Sequence, residues 1–394
     1  MFEHRLLLLT ETFPPSVGGI QAYLSGLWGA LPPKDSFVIA SPQDGAPAWD
    51  AQQPYRTQRV PMRAWAYPRW RPAWQVAREV LTKENIEAVV CGKALFEGRA
   101  ALRLKEEFKI PYVVCTYAME IETWRRHPRT RQQLLAVLEG ADRVLTINDH
   151  TKATLLTLGV SEKKLVKLYP GIREEYFSAP NDRDAFCSRF RLTGKRIVVT
   201  VARFVPRKGM HILLDAFALV RKTVPNAHWV LIGDGPEREM LEQRVREHGI
   251  HDAVTILRDA SHDDVRRALA VADIFALTPR ELPDDPEGFG IVYVEAAAAG
   301  VPAVGSRTGG VPEAVRDKET GILVPPNDVH ATAEAMRELL TDDARRKALG
   351  AAARARAEKE FHWKGRALVF QGMMHSLLTE KAPSPKSQAP TTHA

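Results

Sequence analysis

TPRELPDDPEGFGIVYVEAAAAGVPAVGSRTGGVPE, residues 278–313, sets two glutamates, Glu287 and Glu295, on either side of the turn Gly288-Phe289-Gly290. Glycine lacks a Cβ and accepts unusual dihedrals, so backbone N–H groups in such a turn can come close to a ligand. From Ile291 the run IVYVEAAAAG reads as a helix, because alanine is the best helix former and Gly300 stops it. The start of that helix presents unpaired N–H groups and a partial positive charge. Glu287 is then expected in the loop, at a ligand's edge, with Glu295 a turn or more down the helix. Carboxylates at two depths beside free amides suit a polyhydroxylated ligand, whose hydroxyls can donate to each.

Outward from this stretch the chain alternates short apolar runs with helical patterns. In the second half, strands are expected at 196–201, 228–232, 254–257, 274–277 and 303–305, with helices at about 210–223, 263–270 and 331–360. The loop ARFVPRKG, residues 202–209, follows the first of these strands and carries Arg203 and Lys208, where doubly wound folds place ligands. Gly233-Asp234-Gly235 lacks a third small residue at Arg238, so a dinucleotide fingerprint is not supported. The first half starts the same way. A strand at 6–10 leads into the loop ETFPPSVGG and a helix from about Ile20 to Leu31, so Gly18 and Gly19 either leave a helix start uncovered for a phosphate or make a plain βα turn. Further strands are read at 37–40, 88–91, 112–116, 141–147 and 164–168, with helices at 99–108 and 151–158. Tyr169-Pro170-Gly171 closes that series, and 181–192 reads as a polar linker and helix. Two βα series predict an α/β chain of two doubly wound, Rossmann-like domains facing a central cleft. The expected bounds are 1–178 for the first, 190–361 for the second and 381–394 for a disordered tail.

Bulk composition fits that picture. The chain has 394 residues, 45% hydrophobic and 26% charged, enough for two soluble cores. No run approaches the roughly 20 apolar residues of a membrane span. The start lacks a signal-peptide pattern, and three cysteines (Cys91, Cys115, Cys187) show no metal spacing, so a reducing cytoplasm is expected. The net charge of +7 points to an anionic partner, but no zinc-finger or RNA-binding signature is present and nucleic acid is not expected. Between Arg56 and Arg78 six arginines (56, 59, 63, 69, 71, 78) are interleaved with Trp65, Tyr67, Trp70 and Trp74, without an acid. Arginine among interfacial aromatics is the composition of an anionic membrane-surface patch. A solvated loop whose aromatics fill the core edge is the other reading of the same residues. Arg125, Arg126, His127, Arg129 and Arg131 form a second basic cluster.

The E-x7-E spacing of Glu287 and Glu295, the GFG turn, the run AxxxGxP…TGGxPE and the R-x4-K pair Arg203 and Lys208 together resemble glycosyltransferase family 4. EGFGIVYVEAAAAGVPAV is similar to the mannosyl-transferring phosphatidylinositol mannoside synthases within it. The resemblance implies a GT-B fold, a retaining mechanism and a last helix, residues 362–380, returning to the first domain. It also implies that Arg203, Lys208 and Glu287 act in catalysis, the cations on the donor diphosphate. Gly18, Gly19, Gly288, Phe289, Gly290, Ile291 and Glu295 would bind the donor, Glu295 at the ribose, and Gly309 and Gly310 would border it. Where many members carry His-Gly-x-Glu in the first domain, this chain has Tyr117-Ala118-Met119-Glu120, so Tyr117 and Glu120 are further candidates.

The expected activity is hexosyl transfer, with GDP-mannose the first donor and a glycan, glycolipid or lipid-linked acceptor held by the first domain. UDP-linked glucose, galactose or N-acetylglucosamine stay open as donors, as does a non-catalytic nucleotide-sugar binder. No cofactor is expected beyond the nucleotide sugar. Asp284 and Asp285 read as solvated turn residues rather than metal ligands. A lipid acceptor would bring the chain to the inner face of the plasma membrane as a peripheral protein.

Overall fold

The computed structural model describes residues 4–32, 36–63, 68–178, 182–282 and 285–381. Its first half is a seven-stranded sheet: β1 (Leu6–Thr10), β2 (Ser36–Ala40), β3 (Arg56–Arg59), β4 (Ala88–Cys91), β5 (Tyr112–Thr116), β6 (Arg143–Thr146) and β7 (Leu165–Lys167). The strand order is β3-β2-β1-β4-β5-β6-β7, and every pairing is parallel. A second sheet of six strands holds β8 (Arg196–Val201), β9 (Ala227–Ile232), β10 (Val254–Leu257), β11 (Ile274–Ala276), β12 (Ala303–Ser306) and β13 (Gly321–Val324). Its order is β10-β9-β8-β11-β12-β13, again wholly parallel.

Parallel strands need crossover helices, and these cover both faces of each sheet, which is why the central strands read as unbroken apolar runs. All five residues of β1, LLLLT, are buried. In both sheets the order reverses beside the first strand, between β1 and β4 and between β8 and β11. Those reversals open a crevice at the carboxyl ends of the strands, where ligands bind in such sheets.

Several features differ from the sequence reading, among them β13, which follows the last strand expected. The edge strand β3, RTQR, has no apolar face, so only its pairing with β2 reveals it. The helices Ala118–Arg126 and Pro128–Gly140 fill a stretch that periodicity left unread. The run expected as one helix from 331 to 360 is two, Val329–Thr341 and Asp343–Glu360. Asp342 divides them, and its carboxylate caps the second by accepting from the Arg345 N–H at 2.9 Å.

The last described helix, Trp363–Lys381, packs on the first, Gly19–Gly29. Trp363 sits in a notch between Gly26 and Gly171, where a Cβ on either glycine would lie 2.2 or 2.3 Å from the indole. The Ile172 N–H donates to the Phe361 carbonyl at 2.7 Å, so the chain crosses back where it first left. The expected disordered tail lies outside the described residues from 382 onward.

Candidate functional site

The loops after β8 and β11 meet at the second sheet's switch point. After β8 the chain makes a short turn, Pro206–Lys208, and leaves it through Gly209 at φ +63°. A Cβ there would lie 2.4 Å from the Thr278 carbonyl, so the two loops touch only because this residue is glycine. Lys208 is buried and its Nζ donates to Glu287 Oε2 at 2.7 Å. Arg207 Nη1 donates to Asp285 Oδ1 at 2.6 Å, and its Nε lies 3.5 Å from Glu287 Oε2. Arg203 is exposed and carries no ion pair among the described residues. Burial alone would raise the Glu287 pKa, but Lys208, Arg207 and Arg203 outweigh it and hold the carboxyl below its usual range. Glu287 lies in the loop, as expected, and is there the buried counter-ion of the cation cluster. Arg207 is the member that sequence reasoning missed, although it adjoins Lys208. Asp284 lies outside the described residues.

The turn after Glu287 starts the helix Ile291–Ala298, with Gly290 at φ +75° as its N-cap. Phe289 is buried, with ring centroids 5.4 Å from Tyr169 and 5.8 Å from Phe361. Gly309 and Gly310 press on the same loop, the Gly310 N–H donating to the Glu287 carbonyl at 3.0 Å. Glu295 is half-buried, and burial pushes its carboxyl up to about 7 against the opposing pull of Arg173 and a hydrogen bond from Tyr176. Tyr176 gave no sequence signal, since it comes from the segment that follows the first sheet.

The first half faces this site. A Cβ on Gly19 would lie 3.9 Å from Ile291 Cδ1, and one on Gly288 would lie 3.5 Å from Ile147 Cδ1. Gly18-Gly19 and Gly288–Ile291 thus line one cleft. Tyr117 directly follows β5 in the first half. Its ring packs edge-on to Tyr23 at 5.9 Å, and its hydroxyl is buried without a hydrogen-bond partner among the described residues. Glu120 is buried and accepts from the Tyr117 N–H at 2.5 Å, so the pair closes a helix start.

Behind the loop after β1, Glu97 is buried, with one oxygen accepting from the Glu11 N–H at 2.9 Å and the other without a hydrogen-bond partner among the described residues. Burial raises its pKa to about 7 and that of Glu120 to about 8, from an ordinary 4.5. Between about pH 4.5 and these values the folded chain holds protons that the unfolded chain has released, so stability falls as pH rises through that window. The melting temperature is expected to drop from pH 5 to pH 8, and Glu97→Gln should flatten the slope. Scanning calorimetry across that range, with an unchanged slope in the variant, would remove Glu97 as the titrating group.

The Arg/Trp stretch is less cationic than its sequence suggests. Arg56 pairs with Glu84 at 2.9 Å, Arg59 with Asp50 at 2.7 Å, Arg78 with Glu107 at 2.6 Å, and Arg63 with Glu11. Arg69 and Arg71 have no ion pair among the described residues. Trp70 and Trp74 are half-buried under Arg99 and Arg78, each 6.0 Å from the ring, while Trp65 and Tyr67 lie outside the described residues. No described helix is long and apolar enough to cross a membrane.

Residues 17–176 match the family described as Glycosyltransferase Family 4, and residues 183–356 match Glycosyl transferases group 1. A GDP-mannose-dependent alpha-(1-6)-phosphatidylinositol monomannoside mannosyltransferase of Mycobacterium tuberculosis is 32% identical over 369 residues, covering 91% of this chain and 95% of its own. A Corynebacterium glutamicum enzyme named for the monoacylated form of that acceptor is also 32% identical, over 91% of this chain and 94% of its own. Among solved structures, Anabaena HepE in complex with UDP and glucose superposes with a TM-score of 0.80 at 19% identity, over 95% of this chain and 100% of that one.

Proposed function

The chain belongs to glycosyltransferase family 4, and from that premise we propose that it transfers mannose from GDP-mannose to a phosphatidylinositol mannoside-like glycolipid. The observation that carries this reading is the convergence of Lys208, Arg207 and Glu287 at the second switch point, facing Gly18-Gly19 across the cleft.

Departure of a nucleoside diphosphate builds negative charge on its phosphate oxygens. Cations held in place before the reaction stabilise that charge without reorganising. Lys208 uses one N–H on Glu287 and keeps others for phosphate, while Arg203 brings an exposed guanidinium from the other end of the loop. Glu287 fixes the Lys208 ammonium. The amides at Phe289 and Gly290, at the start of a helix, take the hexose hydroxyls, and Glu295 with Tyr176 takes the ribose. Retention places the incoming hydroxyl on the face from which the leaving group departs, so a donor phosphate oxygen can accept its proton. Asp285 is occupied by Arg207, which favours charge neutralisation by cations over a metal.

GDP is expected to raise the melting temperature more than UDP or ADP, unchanged by EDTA, with the size following affinity. The matching assay is incorporation of labelled mannose from GDP-mannose into phosphatidylinositol mannosides. A shift with UDP alone would move the donor to a uridine nucleotide, and no shift with any of the three would remove the donor site. Arg69, Arg71 and the exposed Arg129 and Arg131 supply the basic surface a membrane-borne acceptor would need, while Arg125 is paired with Glu122 at 2.6 Å. Binding to anionic vesicles that weakens with salt is the expected behaviour.

A further inference from the structure

The carboxylate of Glu313, just past the Gly309-Gly310 turn, is held by groups from the opposite half of the chain. Its Oε1 accepts from the Asp149 backbone N–H at 2.6 Å. Its Oε2 accepts from the Tyr169 hydroxyl at 2.9 Å and from Lys167 Nζ at 3.2 Å. Asp149 opens the helix Asp149–Thr157, so the carboxylate lies at the positive end of that helix. The backbone of Glu313 belongs to its own half, since Arg356 donates to its carbonyl at 2.6 Å and to that of Ala314 at 3.0 Å.

Asn148 makes a second tie beside the first. It is fully buried, its Oδ1 accepts from the Thr151 N–H at 2.7 Å, and its Nδ2 donates to the Gly288 carbonyl. One end of the Asn148 amide therefore caps a first-half helix while the other holds the turn that follows Glu287. Between the two ties Phe289 packs on Tyr169, whose hydroxyl is already on Glu313. Lys167 also binds the Asp149 carboxylate at 2.7 Å, so one ammonium balances acids from both halves.

Glu313 makes no hydrogen bond or ion pair with Arg203, Arg207 or Lys208 among the described residues, so a direct role at the diphosphate has no support. What it does touch is the loop system on both sides of the cleft. We propose that Glu313 is a positioning residue that locks the first half against the donor-binding turn, making cleft closure and the placement of Phe289-Gly290 a single event. The inference rests on the donor site proposed above. It adds a device for that site: the closed arrangement is held by one carboxylate reached by three donors.

The test compares full-length wild type with Glu313→Ala, Glu313→Gln and Tyr169→Phe. It reads GDP affinity by calorimetry, kcat with GDP-mannose and acceptor, and radius of gyration by small-angle scattering with and without GDP. Glu313→Ala should bind GDP within about twofold of wild type, because the nucleotide contacts lie elsewhere, yet lose about tenfold in kcat, within the usual range of coupling between sites. Its radius of gyration should be larger than that of wild type in the presence of GDP. Glu313→Gln keeps an acceptor for Asp149 and Tyr169 but loses the charge, so it should fall between. Combined with Glu313→Ala, Tyr169→Phe should add little, since the bond from its hydroxyl is already lost there. Parallel losses of GDP affinity, melting temperature and kcat would overturn the proposal and make Glu313 a support of the glycine turn. Unchanged kcat would overturn it outright. If wild type binds no GDP, the donor reading fails on its own, and the lock is judged by whether ligand-free Glu313→Ala is more extended than ligand-free wild type.

Discussion

Lys208→Ala is expected to lower kcat/KM for sugar transfer by about 10³-fold, the upper end for removing one preorganised charge-stabilising donor. The same change strips Glu287 of its 2.7 Å partner while leaving the carboxylate buried. Breaking a buried pair from one side costs about 3–5 kcal/mol, because the remaining charge has lost its compensation. Arg207 at 3.5 Å softens that loss, so the stability change should fall toward the lower end. The double variant Lys208→Ala/Glu287→Gln separates the two effects. Neutralising the stranded carboxylate should recover much of the stability in a urea titration while activity stays low. If the double variant recovered activity as well, Lys208 would serve only to neutralise Glu287, and its assignment to the diphosphate would fail. Equal stability of the single variant and wild type would show that Arg207 alone satisfies the carboxylate.

What could be read from residues alone was whatever the local pattern encodes. Unbroken runs such as LLLLT and RIVVTV announce buried parallel strands, and the loops that follow them carry Gly18-Gly19 and Arg203 to Lys208. The switch points follow from strand order, and they explain why loops so far apart in sequence share one cleft. Pairing between distant residues left no such trace. Nothing local to Glu287 tells that Lys208 reaches it across 79 residues and makes it a buried counter-ion. The acids that neutralise the arginine-rich stretch, Glu11, Asp50, Glu84 and Glu107, all lie outside it in sequence. A count of charges within the stretch therefore overstated its cationic character. Tyr117 stands where a polar contact was expected; its ring packs in the core with Tyr23, and its hydroxyl has no hydrogen-bond partner among the described residues. The β-strand reading of 112–116 already placed it at the strand end but could not say which way it turned.

The glycine pairs Gly18-Gly19 and Gly309-Gly310 look alike in sequence and should behave oppositely when a methyl is added. Gly310 has φ −87°, which alanine adopts freely, so backbone strain is not the issue. Its Cβ would lie 2.0 Å from the Gly288 carbonyl oxygen and 2.5 Å from Asn148 Nδ2. The carbonyl belongs to the main chain of the turn that follows Glu287, so the methyl must push that turn away from Gly310. Overpacking of this kind costs about 1–3 kcal/mol, and a displacement near 1 Å at the reacting site costs about 10²-fold in rate. Gly310→Ala should therefore lose melting temperature, GDP stabilisation and turnover together. A Cβ on Gly19 meets only Ile291 Cδ1 at 3.9 Å, an ordinary contact, and alanine in the first turn of Gly19–Gly29 favours the helix. Gly19→Ala should keep the wild-type melting temperature but lose turnover, because the methyl occupies space that a phosphate or the acceptor needs. The two variants, read by melting temperature and initial rate, separate a turn that glycine packs from a loop that glycine leaves open. Full turnover in Gly19→Ala would mean that no substrate approaches this loop, and the facing of the two halves would then owe nothing to the Gly18-Gly19 pair.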